Sequence, residues 1–136
     1  PAAFCILKGA GVAGHHSIPT ILVVDDEPMI RMAVTDHLRD CGFLVIEACD
    51  AEEAIEVLQA VPAIALVFSD VRMPGSLDGV GLARWLAQWR PRVPVILATG
   101  DMGKTYAAEE LCVAHFFLKP YALDDVSRKV HDLLRA

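Results

Sequence analysis

The sequence predicts an α/β fold in which a parallel β-sheet is covered on both faces by helices. Three observations carry this. From residue 20 onward, five short apolar runs alternate with five segments of helical period, the order expected of parallel strands joined by helical crossovers. Runs such as Ala65-Leu66-Val67-Phe68 and Val95-Ile96-Leu97 are apolar on both faces, whereas a sheet with one wet face would alternate. A chain of 136 residues is long enough for one domain with its own core and would be cramped for two.

The first strand is expected over residues 20–25. The first helix, over 27–41, sets Ile30, Val34, Leu38 and Cys41 on one stripe, and Gly42 stands where helices commonly stop. A strand at 43–48 follows. The second helix begins at Asp50, whose carboxylate can cap it while Glu53 reaches back in the manner of a capping box. After a strand at 64–69, the third helix follows Asp78 and carries Leu82, Trp85, Leu86 and Trp89 at i, i+3, i+4 and i+7, so both tryptophans are expected in the core. A strand at 93–98 leads to the weakest helix, over 102–113, where Gly103 loosens the start and Ala107 and Leu111 give a thin apolar stripe. A marginal helix at such a place is a candidate moving part. The fifth strand is expected at 115–118. The last helix, 122–135, turns Leu123, Val126, Val130 and Leu133 inward and leaves Asp125, Arg128, Lys129 and Asp132 to water.

Composition narrows the function classes. The net charge is −6 and the basic residues are scattered, which leaves no footprint for a phosphate backbone, so no direct nucleic-acid partner is expected. No apolar run approaches the roughly 20 residues of a membrane helix, so no membrane insertion is expected. Cys5, Cys41, Cys49 and Cys112 form no C-x-x-C pair and suit a reduced cytoplasm, which is the expected location. Residues 1–19 lack periodicity and are expected to be a leader, linker or expression remnant ahead of the domain at 20–136. Within them Gly9, Gly11 and Gly14 spell G-x-G-x-x-G, but a dinucleotide-binding turn must open a helix, and Pro19 and the strand-like run at 21–24 leave no room for one.

In parallel α/β sheets ligands sit beyond the carboxyl ends of the strands. The residues at those ends are Asp25 and Asp26, Asp70, Thr99 and Lys119, which close the first, third, fourth and fifth strands. Singly, each has an ordinary explanation as a helix cap, a β-favouring residue or loop chemistry. Together they do not, because three clustered carboxylates repel and raise one another's pKa unless a cation neutralises them. An all-oxygen set without nearby His or Cys fits a hard cation, and Mg²⁺ is the one expected.

The motifs Val24-Asp25-Asp26-Glu27-Pro28, Ser69-Asp70-Val71-Arg72-Met73-Pro74, Ala98-Thr99-Gly100 and Lys119-Pro120 resemble the receiver domain of bacterial response regulators, in order and spacing, over residues 20–135. The resemblance implies the flavodoxin-like, doubly wound five-stranded sheet of order 2-1-3-4-5 with five helices. It implies that Asp70 is the phosphoacceptor, attacking a phosphohistidine on a histidine kinase or histidine phosphotransfer protein. Asp26, Asp70 and the Arg72 backbone carbonyl would hold Mg²⁺ directly, and Asp25 through water. Lys119 would pair with Asp70 and then with a phosphoryl oxygen, its bond to Pro120 being cis and aiming it into the site. Thr99 would report phosphorylation through a hydrogen bond worth roughly 1.5–3 kcal/mol, enough to shift a two-state equilibrium about tenfold to a hundredfold. Phe116 matches the family's switch aromatic, although a core Phe beside Phe117 reads equally well.

Two departures from the family pattern stand out. Position 100 is Gly rather than the more usual Ala, and the stretch Met73-Pro74-Gly75-Ser76-Leu77-Asp78-Gly79 is one residue longer than the commonest form. Arg72 and Asp101 occupy positions that govern water access in the family, and a pair between them would screen the acyl phosphate from water. The output face is expected to be the fourth helix, fifth strand and fifth helix, with Lys104, Tyr106, Glu109, Glu110, Asp125 and Lys129 exposed towards a downstream protein target. The receiver of a hybrid kinase or larger regulator is slightly favoured over a stand-alone regulator, and in either form the chain is a regulatory phosphoacceptor rather than an enzyme. A dehalogenase-like phosphatase would need an acid two residues after the nucleophile, where Arg72 stands. A pseudo-receiver that binds partners without phosphorylation would not need the full set of acceptor-site groups.

Overall fold

The structure is a computed structural model and describes residues 17–100 and 114–135. The helix expected over 102–113 and nearly all of the stretch 1–19 lie outside the described residues. In chain order the elements are β1 (Thr20–Val24), α1 (Pro28–Asp40), β2 (Leu44–Ala48), α2 (Ala51–Ala60), β3 (Ile64–Asp70), α3 (Gly79–Trp89), β4 (Val95–Thr99), β5 (His115–Leu118) and α4 (Leu123–Arg135). The α4 helix is the last of the helices read from the sequence. The strands form one parallel sheet of order β2-β1-β3-β4-β5, the flavodoxin-like order that the resemblance implied.

Two apolar clusters divide the core between the faces of the sheet. On one, Ile21 and Val23 of β1, Leu66 and Phe68 of β3, and Ile96 and Ala98 of β4 pack with Val34 and Leu38 of α1 and Val126 and Val130 of α4. On the other, Leu22, Val24, Val67, Val95 and Leu97 pack with Ala54 and Leu58 of α2 and Leu82 and Leu86 of α3. Alternate residues of each central strand therefore enter opposite layers, which is why their sequences are apolar without a break.

Local chemistry sets the helix starts. Pro28 occupies the first turn of α1, where its missing N–H is not needed. The Asp50 side chain accepts from Glu53 N at 2.8 Å, and Asp78 accepts from Gly81 N at 2.8 Å. Glu53 does reach back, but to Cys49 N at 3.1 Å, one residue before the cap. The tryptophan pair needs a correction. Trp85 packs partly against the core, while Trp89 is 56% exposed, because the last turn of α3 runs past the edge of the layer that Leu82 and Leu86 fill. Among the described residues, no helix is long and apolar enough to cross a membrane.

Candidate functional site

The order of the sheet reverses between β1 and β3: the chain steps outward from β1 to β2 and then returns across β1 to β3 and β4. In open α/β sheets such a switch point opens a crevice beyond the strand ends. Register then decides which residues line it. Val24 pairs with Ser69 and Asp70 with Ala98, so Asp25 and Asp26 leave β1 beside the end of β3. Backbone bonds continue past the ladder, with Val71 N donating to Ala98 O at 3.0 Å and Lys119 N to Thr99 O at 2.8 Å. These bonds hold Asp70, Thr99 and Lys119 at one level.

The crevice is an open cleft lined by Asp26, Glu27, Asp70, Arg72, Thr99 and Lys119, with Gly100 at its side. Asp25 lies beneath it, 3% exposed, and accepts from Glu27 N at 2.9 Å. Its backbone carbonyl accepts from Arg31 Nη1 at 2.8 Å, and the Arg31 guanidinium also pairs with Glu47 at 3.1 Å. Asp70 is 5% exposed, and its Oδ1 lies 2.9 Å from Lys119 Nζ. The Lys119–Pro120 peptide bond is cis. Thr99 is buried at the end of β4. Phe116 is half-buried on β5 and packs against the layer formed with α2 and α3, whereas Phe117 faces the opposite layer. Asp101 lies outside the described residues.

One carboxylate oxygen from each of Asp25, Asp26 and Asp70 lies within 4.8 Å of the others. Burial pushes the Asp25 carboxyl up from 3.8 to about 6, and the Asp70 and Asp26 charges add to the rise. The Glu27 amide and the Lys119 ammonium oppose it without cancelling it. Three carboxylates around one ammonium leave an excess of negative charge with hard oxygen donors at the spacing of ligands to one ion. These residues fit a hard divalent cation.

Sequence reasoning passed over Tyr121, two residues after Lys119. Its ring packs edge-on against Phe68 at a centroid distance of 5.7 Å. Burial first, and then the charges of Asp25, Asp70 and Glu27, push its hydroxyl up to about 12. It also closes one end of an apolar groove lined by Met29, Ile30, Ala33, Pro120 and Leu123 that shares Lys119 with the acidic cleft. Nothing in the local sequence marks this residue, because its neighbours come from β3 and α1. Glu52 was also missed, and for the same reason: it touches the segment 75–77 across more than twenty residues of chain.

A doubly wound parallel sheet with a lysine-paired carboxylate in an acidic cleft at its switch point defines the class of this domain as flavodoxin-like. Within it, this chain belongs to the response regulator receiver domain family, whose family model matches residues 21–131. It is 35% identical over 117 residues to a probable transcriptional regulator ycf27 of Cyanophora paradoxa, covering 85% of this chain and 48% of that protein. It is 33% identical over 118 residues to the sensor kinase CckA of Brucella abortus, covering 85% of this chain and 12% of that protein. A solved structure of the response regulator TrrA of Thermotoga maritima, in complex with Mg²⁺ and BeF, superposes with a TM-score of 0.77 at 29% identity, covering 86% of this chain and all of that one. The chain thus spans about half or less of the length of these curated relatives.

Proposed function

We propose that the chain accepts a phosphoryl group on Asp70 from the phosphohistidine of a histidine kinase or histidine phosphotransfer protein, and so switches a signalling surface. The observation that carries this reading is the Asp70 carboxylate, which lies 2.9 Å from the Lys119 ammonium and within 4.8 Å of the Asp25 and Asp26 oxygens. In the transfer, an Asp70 oxygen forms a bond to phosphorus as the phosphorus–nitrogen bond of the donor breaks, and the departing imidazole keeps the electron pair and takes up a proton. Asp26, Asp70 and the Arg72 carbonyl are the residues to hold Mg²⁺, with Asp25 acting through water. When bound, the ion offsets negative charge on the carboxylates and on the phosphoryl oxygens. Lys119 exchanges its Asp70 partner for a phosphoryl oxygen. Thr99 donates its hydroxyl to another, and Phe116 follows it. Arg72, at the mouth, restricts water, so Arg72→Ala is expected to shorten the lifetime of the phosphorylated form.

The apolar groove of Met29, Ile30, Pro120 and Leu123 shares Lys119 with the cleft, so it is the surface a donor reaching Asp70 would meet first on this reading. The output face takes in β5 and α4, where Asp125 is exposed and Lys129 half-buried. On this reading the protein regulates rather than turns over substrate. A cytoplasmic location is part of this reading, and the exposed thiol of Cys49 suits it. Relatives of greater length, a transcriptional regulator and a sensor kinase among them, support a place within a larger regulator or hybrid kinase.

The test is intact-mass spectrometry after incubation with acetyl phosphate or phosphoramidate, with and without Mg²⁺, on the wild type and Asp70→Ala. A Mg²⁺-dependent gain of one phosphoryl group, absent from the variant, is expected. An equal gain in Asp70→Ala would place the acceptor elsewhere.

A further inference from the structure

The segment between β3 and α3 leaves the sheet at Asp70, carries Arg72 at the cleft mouth, and comes back to its own starting point. Gly79 N donates to Val71 O at 2.8 Å, and a Cβ at Gly79 would collide with the Asp70 carbonyl oxygen. The base of the loop is therefore closed on the acceptor residue's own backbone. Met73 and Leu77 tuck side chains against the core on the α2 and α3 side. The tip, Gly75-Ser76-Leu77, lies within the stretch that is one residue longer than the commonest form, and it makes no backbone bond to the sheet among the described residues.

One side chain supplies what the tip lacks. Glu52 Oε1, from the first turn of α2, accepts from Ser76 Oγ at 2.8 Å, Ser76 N at 3.0 Å and Leu77 N at 3.3 Å. The Ser76 hydroxyl, foremost among these donors, holds the Glu52 carboxyl below its usual range. Gly75 crosses directly over the carboxylate with a left-handed φ of +105°, and a Cβ there would stand 2.9 Å from Glu52 Oε2. That second oxygen is buried against the loop without a hydrogen-bond partner. A carboxylate used only as a solvated helix-start charge would point both oxygens at water. This one is committed to the loop.

We propose that Glu52 is a positioning residue for cation binding: by pinning the tip of the 71–78 loop it holds the Arg72 backbone carbonyl where it can join Asp26 and Asp70 as a third direct oxygen. The inference rests on the reading of Asp70 and Arg72 as cation ligands. Groups hydrogen-bonded directly to a metal ligand typically change affinity about tenfold to a hundredfold when removed. Glu52 acts one step further out, so a smaller effect is expected.

The experiment is calorimetric titration of Mg²⁺ into the wild type, Glu52→Ala, Glu52→Gln and Ser76→Ala, with amide hydrogen exchange at Ser76 and Leu77 followed by NMR. Glu52→Ala is expected to weaken Mg²⁺ affinity by about threefold to tenfold and to speed exchange at both amides. Glu52→Gln keeps an acceptor oxygen but loses the charge, and is expected to stay within about twofold of wild type. Ser76→Ala, which removes one of the three donors, is expected to fall between, and it serves if Glu52→Ala does not fold. Unchanged Mg²⁺ affinity in Glu52→Ala and Ser76→Ala would overturn the proposal. So would equal weakening in Glu52→Gln and Glu52→Ala, which would assign the effect to charge alone. Wild type that binds no Mg²⁺ would instead overturn the functional reading beneath it.

Discussion

Phe68 and Asp70 stand two residues apart on β3, and both are almost wholly buried, at 1% and 5% exposure. For Phe68, burial is the source of its stabilising effect: the ring leaves water and meets Tyr121 edge-on. For Asp70 the same depth removes solvent from a charge that has one ammonium partner and two carboxylate neighbours. The middle of the sheet thus contributes stability that its carboxyl edge partly gives back. The difference teaches that the two ends of one strand obey different electrostatics: the interior gains by excluding water, while the edge concentrates carboxylates at a spacing that fits a cation.

Substitutions can break or sharpen that contrast. The largest loss is expected in the interior: Leu66→Ala, at a fully buried site, should cost about 2–5 kcal/mol in denaturant unfolding. Next, Gly79→Ala must push the loop away from the Asp70 carbonyl and should cost about 1–3 kcal/mol, with a loss of Mg²⁺ binding that Leu66→Ala does not show while it remains folded. A similar loss of Mg²⁺ affinity in folded Leu66→Ala would erase the distinction between interior and edge.

Asp25→Asn should run the other way. Its folded pKa of about 6 lies above the 3.8 of the unfolded chain, so the folded state binds more protons between the two values. The stability that follows from this is present below the unfolded value and is lost as pH rises through about 6. In metal-free protein at pH 7, Asp25→Asn is therefore expected to raise stability by about 1–2 kcal/mol, and the gain should vanish below about pH 4. Melting curves of both proteins in chelator across that range measure the difference directly, and a variant less stable at pH 7 would mean that Asp25 is a structural group. The smallest effect is expected at Gly100→Ala. Among the described residues a Cβ there meets nothing within 4 Å, so stability should stay within about 0.5 kcal/mol, and only access to the cleft should change.

The placement of the polar groups along the edge was legible in the sequence because each stands at the end of a strand, and strand ends can be read from where apolar runs stop. Asp25, Asp26, Asp70, Thr99 and Lys119 all lie where that rule puts them. Elements with strong periodicity were equally legible, with bounds displaced by a residue or two where backbone bonding outlasts the apolar run, as at Thr99. Trp89 was misread because helical period says which side of a helix a residue occupies but not where the neighbouring layer ends.

By itself, then, the sequence determined the alternation of strands and helices, the two apolar faces of the sheet and the inventory of groups at its edge, since all of these follow from local period and residue type. Only the tertiary structure decided which of those groups meet. The register of β3 on β1 and β4 sets the carboxylates beside one another, the cleft gathers Arg72 and Lys119, and Glu52 reaches the loop that follows β3. Such contacts depend on how layers stack across long stretches of chain, and a one-dimensional pattern carries no record of that distance.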